Sequence, residues 1–150
     1  MRRTNPVAKC PIERSAGQIG DAWTFLILRD ALYGEKHFVG FRSRLKIASN
    51  VLSDRLTRLV DDGIMEIHES PLGNSHEYHL TQKGRDLHTV MSAIRQWGVK
   101  YLFDEGEPVS YAVEAATGET PPQMQLVSNS GRVLGAEDLQ IVVSNYHSTV

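Results

Sequence analysis

The chain has 150 residues, 41% of them hydrophobic, which is enough for one buried core with an appendage but not for several domains. Its formal charge of -2 averages two unlike parts: residues 1–103 hold 15 Lys and Arg against 11 Asp and Glu, a net of +4, whereas residues 104–150 hold Arg132 against seven acids, a net of -6. A single cysteine excludes an intrachain disulfide, no CxxC or HExxH spacing supports a metal, no cofactor is expected, and no apolar run approaches the ~20 residues that cross a bilayer, so a cytoplasmic protein without a membrane partner is expected.

In chain order, Pro11 fits the first position of a short helix after Cys10. Asp21 is the expected cap of a second helix, whose Trp23, Leu26, Ile27 and Asp30 wind toward a left-handed stop at Gly34. Phe38, Phe41 and Leu45 mark a third, short helix, and Lys46-Ile47-Ala48 a turn before Ser49, whose hydroxyl is expected to cap a fourth. There Leu52, Leu56 and Leu59 recur at i, i+4 and i+7, turning one apolar stripe inward and leaving Asn50, Ser53, Asp54, Thr57 and Arg58 on the other faces. Gly63 closes that helix.

Ile64 to Glu69 then alternates, with Met65 and Ile67 on one face, and Tyr78 and Leu80 answer them across a hairpin turning at Pro71-Leu72-Gly73-Asn74-Ser75. Thr81 is expected to cap a long helix on which Leu87, Val90, Met91, Ile94, Trp97 and Tyr101 fall at spacings of three and four. In the acidic tail, residues 109–115, 123–127 and 139–143 read as short strands, with Ser128-Asn129-Ser130-Gly131 as a turn and Pro121-Pro122 as a break. The expected fold is α+β and mainly α: a winged helix-turn-helix with a long C-terminal dimerisation helix over residues 1–103, followed by a small β-rich extension over 104–150.

The blocks Cys10-Pro11-Ile12, Ile19 to Asp30, Ser49 to Leu59 with Asp62-Gly63-Ile64, and Tyr78 to Gly84 occur in the order found in HxlR-type, MarR-like bacterial transcriptional regulators, which residues 8–103 resemble. The resemblance implies a homodimer that binds double-stranded DNA at a palindromic operator, with the long helix and the N-terminal segment around Ile12 building the dimer. The residues argue independently for a partner. A winged helix is closed by its three helices and ribbon, so a further helix carrying Leu87 to Tyr101 would otherwise project an apolar face, although packing within one chain is the commoner fate of such a stripe.

At the DNA, the start of the fourth helix, from Ser49, presents backbone N–H groups to phosphate, and Asn50, Ser53, Asp54 and Thr57 are the candidates for base edges. Arg42, Arg44, Lys46 and Arg58 are candidates for phosphate contacts. Arg55, at the edge of the leucine stripe, suits either DNA or an intramolecular ion pair. Wings of the resembled family usually present Arg or Lys to the minor groove, but residues 63–81 contain neither, leaving Asn74 and His76 as wing contacts that are weak or pH-sensitive, or simply solvated.

Cys10 has two readings: an oxidant or electrophile sensor, as the resemblance implies from thiol sensors with a cysteine at this position, or a small buried residue in the dimer seam. Trp23, Phe25, Trp97 and Tyr101 either line a space for a small apolar effector or fill the core. The tail suits a dimer arm, a lid over an effector or a docking surface. With no nucleophile elbow or phosphate loop the chain is not read as an enzyme. The leading function is a transcriptional regulator, with repression the simpler mode, and the alternative is a dimeric protein-interaction module with weak or no DNA binding.

Overall fold

The computed structural model describes residues 9–70, 73 and 75–143. Helix α1, Pro11–Ile19, begins where the sequence places it, with Cys10 extended at the N-cap and Pro11 in the first turn, where its missing N–H costs no bond. Helix α2, Ala22–Leu32, is capped by the Asp21 carboxylate, which accepts from the Thr24 amide at 3.1 Å and also from the Thr24 hydroxyl. Gly34, at φ +97°, then turns the chain. Helix α3, Phe38–Leu45, and helix α4, Ser49–Asp61, form the helix-turn-helix, and Lys46 supplies the reversal in a left-handed conformation, φ 50° and ψ 35°.

Ala48, not Ser49, is the N-cap of α4, and no side chain caps it. The expected Ser49 cap is lost because the residue sits inside the first turn, where its Oγ instead accepts from Arg42 Nη1 at 3.3 Å. The leucine stripe turns inward as its spacing requires: Leu52, Leu56 and Leu59 join Ile19, Ile27, Leu28, Phe41, Ile47, Ile64 and Met65 in one buried cluster.

Strands β1, Met65–Glu69, and β2, His76–Leu80, pair antiparallel with Met65 opposite Leu80 and Ile67 opposite Tyr78, the register expected from their alternation. Met65 is buried, but Ile67, farther out on the ribbon, is half exposed. An isolated bridge between His37 and Glu77, with the Tyr78 amide donating to the Lys36 carbonyl at 2.8 Å, fastens β2 to the chain leading into α3. Of the hairpin tip, Gly73 donates to the Ser70 carbonyl; residues 71, 72 and 74 lie outside the described residues.

Thr81 does cap a helix, but a short one: its hydroxyl accepts from the Gly84 amide at the start of α5, Gln82–Arg85, and a turn at Asp86-Leu87 separates α5 from α6, His88–Leu102. The expected single long helix is therefore broken. The cause is tertiary: Gly84 lies against Ile64, the residue before β1, where a Cβ would meet the Ile64 carbonyl oxygen at 2.3 Å, so the chain is held to the base of the ribbon before it can run on.

The chain divides into two compact units at Met91/Ser92. The second holds the rest of α6 and the tail. No residue of α6 is buried. The tail carries no strand among the described residues, contrary to its composition; it has one isolated bridge, Val127 with Val133, around the expected turn, where the Gly131 amide donates to the Ser128 carbonyl at 2.9 Å. A 3-10 turn at Ala136–Asp138 is held by Asp138, which accepts from the Gly135 amide and the Arg132 guanidinium, each at 2.9 Å. Strand-forming residues supply propensity only; a ladder needs a neighbour, and within one chain these segments find almost none.

Candidate nucleic-acid interface

Helix α4 sets out its outer face by the same periodicity that buries its leucines. Ser49, Asn50, Ser53, Asp54, Thr57 and Arg58 are all exposed. Because nothing caps its first turn, the backbone N–H groups there and the positive end of the helix dipole remain open to an anion. Arg42, bridged to Ser49, stands beside this end, and Lys46 is exposed in the turn between α3 and α4.

The arginines of α4 are drawn to carboxylates. Arg55 Nε bonds Asp21 Oδ1 at 3.0 Å and its Nη1 bonds Asp54 Oδ2 at 2.8 Å, while Arg58 Nη2 reaches the same Asp54 oxygen at 3.3 Å. Arg55, the most enclosed of the group, thus ties the reading helix to the N-terminus of α2, which is the intramolecular one of its two sequence-derived roles. Burial by itself would raise the Asp21 carboxyl, but the Thr24 hydroxyl and amide together with the Arg55 guanidinium outweigh it and hold Asp21 below the ordinary aspartate range.

A second carboxylate braces α3. Glu35 Oε1 accepts from the amides of Lys36 and His37, each at 2.9 Å, and Oε2 faces Arg44 Nε at 3.5 Å. Burial pushes its pKa up, yet those two amides, Arg44 and His37 bring it below the usual glutamate range.

The base of the wing carries a polar cluster that the sequence reading passed over. Glu77, nearly buried, is surrounded by His79 Nε2 at 2.8 Å, Lys36 Nζ at 3.1 Å and His37 Nε2 at 3.3 Å, and its pKa is lowered chiefly by the bonds from His79 and Lys36. His79 also stacks on His68, their ring centroids 4.5 Å apart. The signal available was alternation: with Tyr78 and Leu80 on one face of β2, Glu77 and His79 fall together on the other. His76, a wing candidate, is exposed opposite Glu69; Asn74, the other, lies outside the described residues.

Cys10 is exposed at the N-cap of α1, and Ile12 is exposed on that helix. Leu87 packs against the core of the first unit, as do Trp23 and Phe25. Val90, Ile94, Trp97 and Tyr101 are exposed along α6, Met91 is half-buried, and the Trp97 and Tyr101 rings lie 5.6 Å apart. An open hollow of about 480 Å³ in the first unit is lined by Leu32, Glu35, Lys36, Tyr78, Arg85 and His88, so charges of both signs stand in its walls beside a single tyrosine.

Residues 18–105 match the HxlR-like helix-turn-helix family. The chain belongs to that family, which is one of transcription regulators and not of enzymes. An uncharacterized HTH-type transcriptional regulator, Rv3095 of Mycobacterium tuberculosis, is 38% identical over 100 residues, which cover 65% of this chain; the chain spans 63% of that relative's length. Among solved structures the HxlR fold of this chain is similar to PA1607, a candidate transcription factor, with a TM-score of 0.88 and 39% identity over 92% of this chain and 97% of the other. It is also similar to YodB of Bacillus subtilis in its quinone-bound form, with a TM-score of 0.52 and 28% identity over 61% of this chain and 99% of the other. The tail, outside the family match, is thus within the reach of the likeness to PA1607 but mostly not of that to YodB. Among the described residues no helix is long and apolar enough to cross a membrane.

Proposed function

We propose that this HxlR-type chain is a sequence-specific DNA-binding transcriptional regulator that acts as a homodimer and represses by occupying its operator. The observation that carries it is the α4 face: an uncapped helix start flanked by Arg42 and Lys46, with Asn50, Ser53 and Thr57 exposed behind it. Phosphate contacts fall to Arg42, Arg44, Lys46 and Arg58 and to the helix start at Ser49. Asn50 pairs with adenine, and Ser53 and Thr57 donate or accept at either base. Asp54 reaches cytosine N4 only after Arg55 and Arg58 release it.

Residues 1–103 carry DNA binding and dimerisation in this reading, with Ile12, Val90, Met91, Ile94, Trp97 and Tyr101 in the interface and Leu87 supporting it from the core. A two-fold dimer sets the reading helices about 34 Å apart, one turn of duplex, or a multiple of that. Cys10, exposed and at the start of α1, is the site of an oxidant or electrophile response, supported by the quinone-bound and diamide-treated forms of the related YodB. With one thiol per chain, oxidation joins Cys10 to the partner's Cys10 or to a small thiol, and a quinone alkylates it.

The test is binding of the purified protein to fragments of its own upstream DNA at two salt concentrations, with wild type and Cys10→Ser each reduced and oxidised. Selective binding that weakens steeply with salt supports the DNA reading, and oxidation that changes affinity only when Cys10 is present supports the switch. Salt-insensitive binding without sequence preference would move the weight to a protein-interaction module.

A further inference from the structure

Three segments of the tail, 109–113 (VSYAV), 123–127 (QMQLV) and 139–143 (LQIVV), are apolar or amide-bearing and contain no charged residue, although the tail as a whole is strongly acidic. Their composition is that of strands, yet within one chain they remain extended and exposed. Tyr111 is 69% exposed and Ile141 92%, with Val142 and Val143 close behind. The backbones of residues 111–113 and 140–143 have no hydrogen-bond partner among the described residues. Natural proteins blunt free strand edges with charge, proline or a covering element, and uncharged edges of this kind are covered by something.

Two contacts say where these segments sit. The side-chain amide of Gln96 on α6 grips the main chain of Met124 as a neighbouring strand would, donating to its carbonyl at 3.1 Å and accepting from its amide at 2.8 Å. Arg95 Nη1 donates to the Ser110 carbonyl at 3.0 Å. The first two runs are therefore pinned at Ser110 and Met124 to α6, the helix whose Ile94, Trp97 and Tyr101 are exposed in the single chain.

We infer that the tail is an exchange arm whose sheet is completed only by a second copy of this chain, with residues 139–143 of one protomer pairing against the run around residues 111–113 of its partner. The occupant is a second copy because the 109–113 run is held to α6 beside its exposed stripe and because the chain carries its own complement, two uncharged runs in which the backbones of 111–113 and 140–143 have no partner among the described residues. A two-fold axis then forms the pairing twice, so that each of the two runs gains one partner strand. The seven acids fall outside the three runs, at 104–107, 114, 119 and 137–138, so pairing brings no carboxylate into the ladder.

This inference rests on α6 being the dimer helix, and the test keeps the two apart. Full-length wild type, Ile94→Glu, and the double substitution Ile141→Lys with Val143→Lys are compared by sedimentation equilibrium and by backbone hydrogen exchange over a dilution series. The expected result is protection of the 140–143 amides that appears with the dimer and disappears on dilution. The double substitution removes that protection and weakens the dimer by at least about a hundredfold, from two apolar side chains lost on each subunit. Protection that persists in the dilute monomer would mean the strand pairs within its own chain and would overturn the arm. A wild-type dimer that Ile94→Glu dissociates but whose 140–143 amides exchange freely would overturn it too, leaving the α6 interface standing. A monomer at every concentration would overturn both.

Discussion

The two units of this chain solve the problem of apolar surface in opposite ways. Before Met91 the helices and ribbon close on ten buried apolar side chains, and carboxylates brought inward are answered, Asp21 by Thr24 and Arg55, Glu77 by Lys36 and two histidines, although one oxygen of buried Asp30 has no hydrogen-bond partner among the described residues. After Ser92 the sequence is no less apolar, but α6 buries nothing and Trp97, Tyr101, Leu126 and Ile141 all face outward. Amphipathic pattern thus specifies a face, and whether that face is satisfied within one chain depends on whether other elements enclose it.

The largest effect expected of a single change is in the closed unit. Leu56 is fully buried, and Leu56→Ala should cost about 2–5 kcal/mol in urea unfolding, whereas Trp97→Ala should leave the unfolding of a monomeric variant nearly unchanged and weaken only self-association. Equal losses for the two would erase the contrast drawn between the units. Next is Gly84→Ala. Its Cβ would fall 2.3 Å from the Ile64 carbonyl oxygen and 2.9 Å from Leu80, so the wing must shift; a loss of about 1–3 kcal/mol is expected, with DNA affinity falling more than dimerisation. A change in dimerisation alone would place Gly84 functionally with the second unit.

Acid should act on both units but mostly on the first, since in the tail it is Asp138 that the Gly135 amide and the Arg132 guanidinium hold below the ordinary aspartate range. Asp21, Glu35 and Glu77 all have pKa values lowered in the fold, so the unfolded chain takes up protons first as pH falls. Their contribution is complete above the ordinary carboxylate range and is lost as pH drops through it toward the lowered values. Urea midpoints of the wild type should fall between about pH 5 and 3, and Asp21→Asn, which keeps a side-chain oxygen for the cap but loses the charge facing Arg55, should flatten that slope. A slope unchanged in Asp21→Asn would assign the acid sensitivity to Glu35 and Glu77.

At the proposed DNA face the effects fall on binding and leave the fold of both units in place. Arg42→Ala should reduce the slope of log affinity against log salt by about 0.9 with little loss of selectivity, while Asn50→Ala should relax selectivity at one base pair by about 1–3 kcal/mol and leave the slope alone. Fragment binding over a salt series separates them, and identical behaviour would contradict the division into phosphate and base contacts.

Much of the first unit was legible because its signals are local. Asp21 and Pro11 mark helix starts through bonds to, or the absence of, N–H groups within three residues, and the β1–β2 register follows from matching Met65 and Ile67 to Leu80 and Tyr78. The misreadings are where a distant residue intervened. Ser49 has the chemistry of a cap but sits one position inside the helix with Arg42, seven residues back, on its hydroxyl. The helix expected from Thr81 onward breaks at Asp86-Leu87 because Gly84 is held against Ile64, twenty residues away.

What the sequence determined by itself is everything carried by periodicity and capping: the helices that surround the core, the inward leucines and outward polar face of α4, the pairing of the wing, and the apolar stripe of α6. These are set by bonds and spacings within a few residues, which no remote contact is needed to define. Only the tertiary structure decided that Arg55 faces Asp21, that Glu77 gathers Lys36, His37 and His79, and that the described residues of the strand-like tail form one isolated bridge and no strand. Ion pairs and β-ladders join residues far apart in sequence, and their formation depends on which surfaces the packed elements bring together.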